Sequence, residues 1–112
     1  MAIRLATLPV REVMTLTGID GYPRWAGGVT VDDGLIERHL ANDALIAPDD
    51  SRDPNAPVPA TEHAGRIAWL IRHVRPNRCS VTIRDGRIQD GNHRFAAALY
   101  RGDDLVSCCI ME

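Results

Sequence analysis

Apolar positions in the second half of the chain repeat with a helical period. Ile67, Leu70, Ile71 and Val74 fall at i, i+3, i+4 and i+7, which predicts a helix over 62–74 with one buried stripe. Thr61 stands where an N-cap belongs, and Pro76 closes the run. The period then changes. Residues 79–83 are rich in β-branched side chains, Asp85-Gly86 is a two-residue hairpin turn, and 87–89 returns as a second strand. Asp90-Gly91-Asn92 turns the chain into a helix over 93–101 with Phe95, Ala98 and Leu99 inside, stopped by Gly102. A last strand follows over 105–111.

The first half carries weaker periods and more punctuation. Residues 3–6 read as a short strand. Pro9 suits the first turn of a helix with Val10, Val13 and Met14 on one face and Gly18 as its stop. Residues 18–28 hold four glycines and Pro23 and read as loop. Asp32 or Asp33 caps a helix over 34–44, with Leu35, His39 and Leu40 on one side. Residues 48–59, with four prolines and three aspartates, read as an extended surface loop or a mobile linker. The order is strand, helix, helix, helix, hairpin, helix, strand. It describes a mixed α+β domain, a small mixed sheet with flanking helices.

A length of 112 residues fits one domain, and 45% hydrophobic with 25% charged residues is ordinary globular composition. The net charge of -2 argues against a broadly basic nucleic-acid coat. All 13 basic residues are arginine. That excludes a P-loop lysine, a Schiff-base lysine and a lysine general base, and leaves anion recognition to guanidinium groups. Most arginines, Arg66, Arg72, Arg84 and Arg101 among them, are expected on solvent faces. The first residues lack the apolar run of a signal peptide, and no stretch approaches the ~20 apolar residues of a membrane span, so a cytoplasmic protein without membrane contact is expected. Cys108 and Cys109, adjacent on a strand, point to opposite faces. With Cys79 they read as free thiols rather than a disulfide or zinc site.

The chemistry concentrates in Asp90-Gly91-Asn92-His93-Arg94. A strand passes there through a tight turn into a helix, so unpaired N–H groups and the positive end of the helix dipole meet. Gly91 permits a positive φ or close approach, Asn92 caps the helix, and Arg94 suits a bidentate phosphate contact. The same residues are also ordinary turn and capping chemistry. His39, His63 and His73 show no metal-ligand spacing, and no metal site is expected from them. Trp25, beside Arg24 in a glycine-rich loop, is a candidate to stack on a base. Trp69, near Arg66 and His73 on the helix, reads as packing.

The segment GRIQDGNHRFAAALYRG resembles the hairpin strand, D-G-x-H-R turn and alanine-rich helix of the ParB/sulfiredoxin superfamily. IRLATLPVREVM resembles that family's opening strand and turn, and Tyr22-Pro23-Arg24 its proline-arginine step. Residues 25–60 match poorly and resemble an insertion within a single domain spanning 1–112. The resemblance implies a ParB/sulfiredoxin-like fold that binds a nucleotide, ATP or CTP, with Gly91, Asn92, His93 and Arg94 on the phosphates, Asp90 near the turn and Arg24 as a second contact. His93 and Arg94 would be the catalytic pair of a nucleotide-hydrolysing or phosphodiester-cleaving, nuclease-like enzyme. Mg²⁺ accompanying the phosphates would draw on Asp90, Glu37 or Glu62. The reactive cysteine of sulfiredoxins is replaced by Asn92, which argues against sulfinic-acid reduction. A non-catalytic nucleotide-gated or DNA-associated protein of plasmid or phage origin, or a protein-interaction module, stays open beside the enzyme.

Overall fold

A computed structural model describes residues 2–48 and 58–112. Most of the loop expected over 48–59 lies outside them. The elements run β1 (Ile3–Pro9), α1 (Val10–Thr17), a 3-10 turn (Ala26–Gly28), α2 (Asp33–Ala41), α3 (Ala60–His73), β2 (Ser80–Arg84), β3 (Arg87–Asp90), α4 (Asn92–Arg101) and β4 (Leu105–Met111). The fold is mixed α+β, a four-stranded sheet with four helices. Its strand order is β1-β4-β2-β3. β1 pairs with β4 and β2 with β3 antiparallel, while β2 and β4 run parallel. The parallel pair needs a crossover, and α4 supplies it.

Local chemistry accounts for the element ends. Asp32 caps α2 by accepting from Leu35 N–H at 2.8 Å. Gly18 and Gly102 end α1 and α4 in the left-handed conformation. At the hairpin, Asp85 (φ 53°) and Gly86 (φ 70°) adopt the paired positive φ that joins twisted antiparallel strands in two residues.

The helices cover one face of the sheet. Val81 and Ile83 of β2 and Val106, Cys108 and Ile110 of β4 point inward, against Ile67 of α3, Phe95 to Ala98 of α4, and Val13 and Ile36. Each buried Ile, Leu or Phe contributes roughly 1.5–3 kcal/mol. Cys108 is buried and Cys109 half-buried on the opposite face, and all three cysteines are free thiols. Burial pushes the Cys79 and Cys108 thiols up, which keeps them protonated and unreactive.

Several expectations are corrected. Thr61 does not cap α3: Pro59 holds that position, and the Thr61 hydroxyl lies 2.7 Å from His39 Nε2, joining α2 to α3. Asn92 does not cap α4, because Gly91 is the N-cap and makes no side-chain cap bond. Two arginines expected in solvent are drawn inward. Arg66 is buried on α3 and pairs with Glu62 at 2.9 Å. Arg101 binds Asp103 at 2.7 Å and donates to the carbonyls of Ile71 and Val74. Arg72 and Arg84 are exposed. Among the described residues, no helix is long and apolar enough to cross a membrane.

Candidate functional site

The turn from β3 into α4 is built on Gly91. Its φ is 97°, and a Cβ there would sit 2.7 Å from the Ser80 carbonyl and 3.0 Å from Val81 Cα. Only glycine lets the turn lie this close to β2. Phe95 N–H closes the first helical bond onto the Gly91 carbonyl at 2.8 Å. The N–H groups of Asn92, His93 and Arg94 stand at the helix start, and the N-cap residue, a glycine, has no side chain to offer them.

The three side chains of this first turn diverge. Arg94 stays in solvent, 3.9 Å from Asp90 across the turn. At that exposure the pair adds little to stability. His93 turns toward α3, where its Nε2 lies 2.9 Å from Nδ1 of buried His63. The ring centroids are 5.1 Å apart with planes inclined by 24°. Two imidazoles this close and this nearly coplanar meet edge to edge through an N–H···N bond. One nitrogen must donate and the other accept, so the two rings cannot both be fully protonated. Trp25 lies flat over both, with centroids 4.3 Å from His63 and 4.9 Å from His93. Its indole, expected to stack on a base, stacks on this pair. Trp25 is itself held by N–H donation to the Val29 carbonyl at 2.7 Å.

Asn92 faces a different space. It lines a cleft of about 350 Å³ between the loop after α1 and the β3–α4 turn. Asp20, Tyr22 and Arg24 come from the loop, and Arg87 and Ile88 from β3. Two arginines and one aspartate among its lining residues give it a positive balance, and Ile88 and Tyr22 are its apolar neighbours. Tyr22 is fixed by its hydroxyl bond to Asp33. Burial, reinforced by that carboxylate, pushes the phenol well above its usual range. The structure therefore brings Arg24 and Asn92 to one cleft, as candidate residues, and sets His93 beside it and Arg94 outside it.

Two participants, Arg87 and Asp20, were not singled out from the sequence, and His63 was weighed there only as a metal ligand. His63 carries a signal: it lies four residues before Ile67, on the extension of the apolar stripe, where a histidine is buried and needs a partner. Arg87 and Asp20 carry none, because only the approach of the loop to β3 makes them neighbours. Among the described residues no three of His, Cys, Asp or Glu cluster in a way that would hold a metal ion. No family model, no curated protein and no solved structure matches this chain.

Proposed function

We infer that the chain binds a phosphorylated ligand, with a nucleoside triphosphate such as ATP or CTP as the leading candidate, in the cleft at the start of α4. The observation that carries this reading is the convergence of Arg24, Arg87 and Asn92 from three separate segments on one cleft. Its volume falls in the range of small-molecule sites. Guanidinium groups match phosphate oxygens bidentately, and the start of α4 adds the positive end of a helix dipole. The similarity of the D-G-N-H-R turn to the ParB/sulfiredoxin pattern supports the same reading. Mg²⁺ would enter on the phosphates, and Asp20 is the carboxylate that lines the cleft. Of the acids expected for this role, Asp90 sits by Arg94, Glu62 by Arg66, and Glu37 by Tyr100.

Binding without turnover is the first form of the proposal, since His93 does not line the cleft. Hydrolysis, with His93 as acid or base, is the second. It is favoured by the His63 bond, which is the contact between a general base and its orienting group. A nucleic-acid phosphate offers the same chemistry, and oligonucleotide binding there would weaken steeply with salt.

Thermal unfolding with ATP, CTP or ADP and Mg²⁺ tests the reading. A bound nucleotide at a hundredfold excess over Kd stabilises by about 2.7 kcal/mol. Arg24→Ala and Arg87→Ala should each reduce the shift, and nucleosides without phosphate should give none. Absence of a shift with every nucleotide would contradict the proposal. Phosphate release by wild type but not by His93→Ala would establish the hydrolytic form.

A further inference from the structure

β1 is an edge strand of seven residues, and its hydrogen-bonding alternation is fixed by its partner. Ala2 and Glu112 exchange both main-chain bonds, at 3.2 and 2.9 Å, and Val10 N–H reaches the Asp104 carbonyl at 3.2 Å. With the register Ile3 opposite Met111 through Pro9 opposite Leu105, the even residues bond to β4. The N–H and C=O groups of Ile3, Leu5 and Thr7 therefore point outward from the sheet edge. The side chains of these same residues stand on the uncovered face: Ile3 is 61% and Leu5 80% exposed. The other edge, β3, is short and carries Arg87, Gln89 and Asp90, which is how proteins usually blunt an edge. The one charge on β1, Arg4, stands on the other face beside Glu112, and no bulge interrupts the ladder of β1 with β4.

We propose that β1 pairs with β1 of a second copy of this chain, antiparallel about a two-fold axis at Leu5, to join two sheets edge to edge. The register follows from the outward groups. Centred on Leu5, Ile3 of one copy faces Thr7 of the other and Leu5 faces Leu5, so every outward N–H meets an outward C=O. Pro9, which has no N–H, falls beyond the pairing. Moving the axis toward Pro9 sets the proline opposite a strand residue and forfeits donors; moving it toward Ile3 shortens the ladder. The interface is isologous, as closed dimers require. It covers Leu5 with its own copy. Arg4 falls opposite Ala6, on the other face, where it already approaches Glu112 at 3.8 Å, so no like charges meet.

Sedimentation of the full chain over a range of concentrations reads the state directly. The expected result is twice the monomer mass, falling to the monomer mass in Leu5→Lys with unchanged circular dichroism, because Leu5 is 80% exposed within its own chain. The register has its own test, in a Cys109→Ser background because Cys109 lies opposite Leu5 on β4. Leu5→Cys should then oxidise to a covalent dimer, since paired Cα atoms sit about 5.5 Å apart. Ile3→Cys should not, because its copy lies about 13 Å along the strand. A monomer at every concentration, including one that takes up an added extended peptide on β1, overturns the proposal. So does a dimer that survives Leu5→Lys, or cross-linking at position 3 as fast as at position 5.

Discussion

Gly91 is the residue on which the candidate site depends. Gly91→Ala adds a Cβ at a left-handed φ and drives it into the Ser80 carbonyl. Strain and overpacking together should cost about 2–5 kcal/mol, measured by urea unfolding. Tyr22 gives a pH-dependent prediction. Its pKa is raised in the fold, so its stabilisation is complete below the unfolded value of about 10 and is lost as pH climbs above it. Tyr22→Phe should lose about 1 kcal/mol at neutral pH through the Asp33 bond and show a shallower loss of stability in alkali. Equal alkaline slopes in the two proteins would argue against this. The sequence marked the D-G-N-H-R turn as the place of chemistry, but side-chain direction in a first helical turn changes by about 100° per residue. Asn92, His93 and Arg94 thus part company, which a motif read as a line of letters does not reveal.

At the scale of elements, Arg101 links three of them. It stands at the end of α4, donates to the Ile71 and Val74 carbonyls at the end of α3, and pairs with Asp103 just before β4. The Asp103 side chain is only 2% exposed, so removing its partner leaves a buried charge with the Asn77 N–H bond alone. Arg101→Ala should cost about 3–5 kcal/mol, and Arg101→Lys should recover only part, since one ammonium cannot span the same acceptors. Chemical denaturation of both variants checks the order. The α-helices and strands were legible, because the 3.6 and 2.0 periods, the Asp85-Gly86 turn and the glycine stops act locally, but the 3-10 turn Ala26–Gly28 lay in a segment read as loop and β1 runs on to Pro9. Caps were less so. Thr61 and Asn92 are good capping residues, but Pro59 and Gly91 already hold the geometry one or two positions earlier. Arg101 read as solvated because a guanidinium at a helix end has no local mark that its acceptors lie on another helix.

Over the whole molecule, the fold uses its lysine-free charge in two ways. Arg66 and Arg101 are spent inside, on Glu62 and Asp103, while Arg24 and Arg87 line the cleft. That division was not legible in composition, since it needs the loop after α1 to lie along β3. Among the described residues the helices cover one face of the sheet, which explains why the exposed apolar residues of β1 gather on the other. The central claim is that the cleft at the start of α4 takes phosphate. The most direct measurement is a titration of the ¹⁵N-labelled chain with ATP, followed amide by amide. The account predicts saturable shifts at Arg24, Arg87, Asn92 and His93, reduced in Arg87→Ala and absent with adenosine. Shifts centred elsewhere, or none at millimolar ATP, would contradict it.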